Sequence, residues 1–222
     1  MPGALSPFRY NQWMGIDRAG WPFVLGALIV AVAVGVWLGR AWSVPFLVLT
    51  AFFLFFFRDP VRHSPAGPMV VVSPADARIM AAGVWPWPGA PEGEWTTISM
   101  FLSPLDVHVN RTPVDGTVRR VEYHPGTFLP AYKKEAGELN EWTEVWFDRP
   151  GGPVVVRQIV GILARRIVCR LEPGQQVRAG DRFGVMKFGS RVDMFLPKTA
   201  TIHVKPGDKV VGGETLLATL AQ

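Results

Sequence analysis

One cysteine, Cys169, stands among the 222 residues, so no intramolecular disulfide can brace the fold and no cysteine pair is available to a metal or a dithiol couple. Glycine-rich phosphate loops and His-x-x-x-His pairs are also missing, which removes the usual nucleotide and helical zinc motifs. Nor does any basic cluster interleave with stacking aromatics, although the formal charge is +5 and the pI about 9.7. Without that pattern the positive charge points away from nucleic acid and toward an anionic lipid surface. Cys169 itself, inside Ile167-Val168-Cys169-Arg170, reads as a small apolar strand residue and not a nucleophile.

What the chain has in excess is apolar and aromatic surface: nine tryptophans, 12% aromatics and a mean hydropathy of +0.19. The excess is concentrated. Trp21 to Gly39 carries no charge, Trp42 to Phe57 carries none either, and only Arg40 and Ala41 separate them. The first run approaches the roughly 20 residues that cross a bilayer core, and the second is short of it. A helical hairpin over 21–57 is expected, following an N-terminal segment 1–20, and either spanning or dipping into a membrane; the alternative is a pair of buried core helices. Pro45 is expected at a helix N-terminus. Arg9, Arg18, Arg58 and Arg62 flank the pair, against Arg40 alone at the tip, so both ends belong on the cytoplasmic side of a cell membrane.

From residue 58 to residue 222 short apolar runs alternate with Gly and Pro, as in 154–160 and 165–171, with helical turns expected only near 103–107 and 131–139. This predicts a mainly β domain. Within it, Pro173 to Asp181 and Pro206 to Glu214 share the form Pro-Gly-x-x-Val-x-x-Gly-acid. Such an echo resembles the repeats of barrel-sandwich domains and predicts two β-hairpin units packed face to face, with Gly189-Ser190 on the connection. Biotinyl and lipoyl carriers of that type present a modified lysine from a hairpin tip, and Met186-Lys187 is a partial match. A carrier modified at Lys187 on a membrane anchor is therefore the alternative reading.

Gly189-Ser190 allows a different chemistry. If the serine hydroxyl attacks the glycine carbonyl, the amide becomes an ester; β-elimination then breaks the chain and hydrolysis of the dehydroalanine leaves a pyruvoyl group and ammonia. A ketone that caps a new N-terminus can form a Schiff base with a substrate amine and draw electrons from its α-carbon. The serine needs a base, and the base needs an orienting partner.

Three further segments lie upstream: Phe57-Arg58-Asp59-Pro60, Val72-Ser73-Pro74-Ala75-Asp76-Ala77-Arg78, and Met100 to Arg111 with the core Ser103-Pro104-Leu105-Asp106-Val107-His108. With Phe188-Gly189-Ser190 they resemble the short-form phosphatidylserine decarboxylase proenzymes of prokaryotes, from about Trp21 to the C-terminus. The resemblance implies self-cleavage between 189 and 190, a covalent pyruvate cofactor made from Ser190, and large (1–189) and small (190–222) chains that stay together. It also implies a triad of Ser190, His108 and Asp76, with Asp76 fixing the imidazole tautomer, and phosphatidylserine as substrate. His63, His124 and His203 read as structural. Arg111, Lys187 and Arg191 are the cations nearest the motifs and the candidates for the lipid phosphate. Two departures stand out: Arg111 occupies the place of a second histidine in longer relatives, and Asn140-Glu141-Trp142-Thr143 replaces Asn-Glu-Arg-Asn. Pyruvoyl decarboxylases of soluble amino acids need no membrane hairpin, so the apolar N-terminus favours a lipid.

Overall fold

A computed structural model describes residues 15–84, 87, 90–162, 166–187 and 189–221. They form two compact units, one ending at Val61 and one beginning at Arg62.

The first unit is a helical hairpin. Helix α1 (Trp21–Trp37) opens with Pro22 in its first turn, where a missing amide costs nothing. Helix α2 (Arg40–Phe56) follows after Gly39. Pro45 lies inside α2, five residues past its start, because the helix begins at Arg40 and not within the second apolar run. Having no amide N–H, Pro45 cannot donate to the Ala41 carbonyl in the helical pattern. The stretch Arg18–Trp37 is long and apolar enough to cross a membrane, about 30 Å at 1.5 Å per residue; α2 is shorter. The base of the hairpin is closed by the Asp17 amide donating to the Phe57 carbonyl at 2.8 Å and the Asp59 amide donating to the Gly15 carbonyl at 2.7 Å. Phe23 stacks on Phe57 there. Leu25, Ile29, Val32, Val36, Leu47 and Val48 are exposed, a continuous apolar surface of the kind soluble monomers avoid.

The second unit is mainly β. Its strands are β1 (Val70–Val72), β2 (Ala77–Val84), β3 (Trp95–Leu102), β4 (Val109–Arg111), β5 (Gly116–His124), β6 (Trp142–Asp148), β7 (Val154–Ile159), β8 (Ile167–Cys169), β9 (Gln176–Val177), β10 (Arg182–Met186), β11 (Ser190–Pro197), β12 (Thr201–Ile202), β13 (Lys209–Val210) and β14 (Leu216–Thr219), with a helical turn α3 (Ala136–Leu139) before β6. The expected strands at 154–160 and 165–171 are β7 and β8; residue 165 lies outside the described residues.

Eight strands form one sheet in the order β13-β2-β3-β11-β7-β6-β5-β9, and two three-stranded sheets, β4-β10-β8 and β1-β14-β12, complete the unit. The sequence echo is present but not as facing hairpins. Its strands β9 and β13 are two residues each, too short to build a face, and they pair with β5 and β2 at opposite edges of the large sheet. The centre belongs to β11, paired along its whole length with β3 and over five residues with β7. Side chains alternate along a strand. Val192, Met194 and Leu196 therefore enter the main core with Ile98, Met100 and Leu102, while Phe195 packs with Trp146 and Val155 on the other face.

Candidate active site

Ser190 is the first residue of β11 and lies opposite Leu102, the last residue of β3. By strand alternation its side chain shares the core face with Val192 and Met194. Its Oγ is fully buried and makes no hydrogen bond among the described residues. A buried hydroxyl without a partner costs on the order of 1–3 kcal/mol, so this position is unfavourable for serine as an end state. Conversion to a pyruvoyl group would exchange that hydroxyl for a methyl, which asks for no partner, and the site fits that group.

The chain reaches Ser190 from β10 of the small sheet through Lys187 and Gly189. Gly189 has φ of +64°, a left-handed conformation that glycine adopts at least cost. Its carbonyl oxygen, on the bond that would break, is pressed against Gly161: a Cβ at residue 161 would sit 2.0 Å from it. Only a residue without a side chain fits there. Gly161 follows Val160, whose carbonyl accepts from Asn140 Nδ2 at 2.8 Å. Asn140 also accepts from the Leu129 amide and donates to the Leu129 carbonyl, both at 2.8 Å. One fully buried amide side chain thus ties the 125–139 loop to the end of β7, beside the scissile carbonyl.

His108 precedes β4 and is fully buried. Its carbonyl accepts from the Met186 amide at 3.1 Å, which fixes it to the end of β10, three residues before Gly189. Its Nδ1 lies 2.9 Å from the Asp106 carbonyl oxygen. A carbonyl can only accept, so in the neutral ring Nδ1 carries the proton and Nε2 carries the lone pair. The Asp106 carboxylate in turn accepts from the Ser103 amide at 2.7 Å and closes the turn that presents this carbonyl. The tautomer is thereby set by a main-chain carbonyl two residues away.

Asp76 pairs with Arg62 at 2.8 Å and accepts from the Gly212 amide at 2.7 Å. Its turn touches β4 through the Pro74 carbonyl, which accepts from the Arg111 amide at 2.9 Å. Asp76 therefore joins segment 62–64, the second echo turn and the strand that follows His108. Glu214 in that echo turn accepts from the His63 amide at 3.1 Å, and this bond, with Arg62 nearby, holds its carboxyl below the usual range.

Of the three cations, Arg191 is not available to a substrate. By alternation it leaves the core face of β11, but it is fully buried under Trp87 and the 131–133 loop. Its guanidinium makes a two-pronged pair with Asp193 and donates to the Lys133 carbonyl at 3.0 Å; Trp87 Nε1 donates to the same carboxylate at 2.9 Å. Asp193→Ala, which strands that guanidinium, is expected to cost about 3–5 kcal/mol, read as a shift of the denaturation midpoint. Arg111 is also buried and donates to the Gly180 carbonyl at 3.0 Å, inside the first echo turn. Lys187, next to Met186 and two residues before Gly189, is half-buried.

Cys169 is in strand β8, and burial pushes its thiol up, away from thiolate reactivity. Cys169→Ser should change processing and turnover by less than about twofold, and thiol alkylation of the unsubstituted protein should not inactivate it. Gly161 and the Asp106 carbonyl carry no signal in the sequence, and Asn140 carries only that of opening a segment that departs from the family pattern. A pocket of about 260 Å³ lined by Val84, Trp87 and Trp95 sits at the far end of β3 from Leu102 and is remote from Ser190.

Residues 49–218 match the family model described as phosphatidylserine decarboxylase. A protein of Nitrosomonas europaea named phosphatidylserine decarboxylase proenzyme is 44% identical over 204 residues, covering 91% of this chain and 94% of its own. Proteins of the same name from Ralstonia nicotianae and Ehrlichia chaffeensis are 43% and 39% identical, covering 92% and 95% of this chain and 95% and 94% of theirs.

Proposed function

Because the chain belongs to the phosphatidylserine decarboxylase family, we propose that its own residues, Ser190 and His108 above all, carry out a self-cleavage at Gly189–Ser190 and then the decarboxylation of phosphatidylserine. It is an enzyme, a carboxy-lyase that converts phosphatidylserine to phosphatidylethanolamine and is made as a proenzyme. The matches give no support to a carrier modified at Lys187. The observation that carries the residue assignment is the buried, unbonded Ser190 Oγ next to a left-handed Gly189 whose carbonyl rests on Gly161.

In the first step His108 Nε2 takes the Ser190 hydroxyl proton as the oxygen attacks the Gly189 carbonyl carbon. The proton passes to the departing nitrogen, the C–N bond breaks, and an ester joins the two parts. Loss of the residue 190 α-proton then breaks the Cβ–O bond and releases Gly189 as a carboxylate. Water replaces the enamine nitrogen, which leaves as ammonia. The pyruvoyl carbonyl that results supplies an electrophile for the substrate amine and an electron sink as carbon dioxide departs. His108, protonated by then, returns a proton to the substrate α-carbon. One imidazole serves both stages, since Arg111 replaces the second histidine and is committed to Gly180.

Asp76 acts in this scheme as a positioning residue, anchoring the turn that packs on β4. Lys187 is the cation assigned to the lipid phosphate. The hairpin attaches the enzyme to the membrane with both ends on the cytoplasmic side, so that the diacyl substrate need not leave the bilayer. The two products of cleavage remain one molecule, because the small chain keeps β11 between β3 and β7, β13 on β2 and β14 on β1.

Intact-mass spectrometry tests the reading. A denatured sample should contain a fragment of residues 190–222 lighter by one ammonia than its serine-headed form, and a large chain ending at Gly189. A single unmodified chain of 24.5 kDa from cells that process related proteins would overturn it.

A further inference from the structure

The large apolar side chains exposed on the β unit are not scattered. Among the described residues from Arg62 onward they number eight, and all but Val84 and Leu216 gather at one end of the eight-stranded sheet. The six are Leu105, Tyr123, Phe128, Tyr132, Leu139 and Ile162. The strand register shows that this is the end bearing Ser190. Leu102 is opposite Ser190, and Leu105 lies in the turn just beyond it. Ile159 is opposite both Arg191 and Trp142, and Ile162 lies three residues further. His124, beside Tyr123, is opposite Trp142.

Phe128, Tyr132 and Leu139 belong to the loop that Asn140 and Arg191 tie down on the same end. Tyr132 stands edge-on to Phe101 at 6.3 Å and is 60% exposed. Anchored loops that hold aromatic and aliphatic side chains in water meet something apolar in function. The exposed charges beside them, Lys133, Lys134 and Arg166 with Glu135 and Glu138, are mixed in sign. Electrostatic attraction alone would not seat this surface.

We propose that this end of the β unit is a second membrane contact, separate from the hairpin. Its rim of Leu105, Phe128, Tyr132 and Ile162 enters the headgroup layer of the bilayer and brings the phosphatidylserine headgroup to residue 190. The inference rests on the lipid-substrate reading: the reacting amine is in the headgroup, the acyl chains stay in the bilayer, and the buried Ser190 lies beneath this rim. Tyrosine and phenylalanine on loop tips suit that layer, where one end of the side chain is apolar and the other is wet.

The test is the double variant Tyr132→Glu/Ile162→Glu of the full chain, purified after maturation, with the mass of the 190–222 fragment verified. Activity is measured on vesicles of long-chain phosphatidylserine in phosphatidylcholine and on a short-chain phosphatidylserine below its micellar concentration. The ratio of the two activities should fall at least about tenfold, because two apolar insertions are lost. Val84→Glu/Leu216→Glu, the same change at the two exposed positions off the rim, should leave the ratio unchanged. An equal loss on both substrates would assign the rim to the catalytic pocket and overturn the proposal. So would an unchanged ratio, or loss of a vesicle-independent dimer, which would make the rim a contact with a second copy. If the unsubstituted enzyme decarboxylates neither substrate, the lipid-substrate reading itself fails.

Discussion

His108→Ala should yield an almost wholly uncut chain of 222 residues, with self-cleavage slowed by about 10²–10⁴, the usual contribution of a positioned acid–base group. The argument begins with the serine, whose hydroxyl is too weak an acid to attack an amide unaided. His108 is fully buried, its Nδ1 is held by the Asp106 carbonyl, and its Nε2 therefore carries the basic lone pair. Burial also makes a solvent base a poor substitute. The control is Ser190→Ala, which removes the nucleophile and should abolish both cleavage and decarboxylation. Intact-mass measurements over a maturation time course separate the two variants: a slow appearance of the 190–222 fragment from His108→Ala, none from Ser190→Ala. Whatever fraction of His108→Ala matures should then decarboxylate slowly as well, because the same imidazole returns the proton to the product. Normal cleavage in His108→Ala would remove His108 from the maturation step, and slow cleavage followed by normal turnover would divide the two stages between different residues.

Local features were legible in the sequence where one segment determines its own structure. The apolar runs from Trp21 and Trp42 became α1 and α2 within two residues at every end, because an uncharged run of that length has one economical backbone solution. Gly189-Ser190 stood out because its chemistry needs only two adjacent residues. The register of the sheet was not legible: nothing in the two echo segments says that β9 and β13 end at opposite edges of one sheet.

The cations show the same limit. Arg191 adjoins Ser190 and Lys187 is three residues before it, yet strand alternation sends Arg191 to the far face of β11, where Asp193 two residues on shares that face and pairs with it. Lys187 lies outside the strand, between β10 and β11, and strand alternation does not assign it to a face. The role of Asp76 beside the imidazole follows from the resemblance alone, and its contacts with Arg62 and Gly212 depend on segments 14 and 136 residues away in sequence. Gly161 could not be found from sequence at all, since a glycine after a strand is ordinarily a turn.

Gly161 carries the other large expected effect. Gly161→Ala should slow self-cleavage by about 10² or more while leaving the fold intact. The methyl would need the space of the Gly189 carbonyl oxygen, 2.0 Å from where Cβ must be, and would meet the Ala131 side chain at 3.4 Å as well. Neither neighbour can yield without consequence. Gly189 leads directly into β11, which is fixed by pairing on both sides, and the Gly161 side is fixed by Asn140 through Val160. The strain is relieved most easily by rotating the Gly189 carbonyl, the group the serine must attack, and a misplacement of about 1 Å is enough to cost 10² in rate. Gly161 lies beyond the last residue of β7, so the sheet has no need to change. Hydroxylamine, which cleaves esters, locates the block. If Gly161→Ala stops the attack, no ester forms and the reagent leaves the chain whole; release of residues 190–222 by hydroxylamine would put the block at elimination instead. Cleavage at the normal rate would show that the close approach plays no part in the chemistry. The contact should matter only before the cut, since Gly189 afterwards ends its chain as a free carboxylate. Gly161→Ala molecules that do mature are therefore expected to decarboxylate at close to the normal rate, a separation of stages opposite to that of His108→Ala.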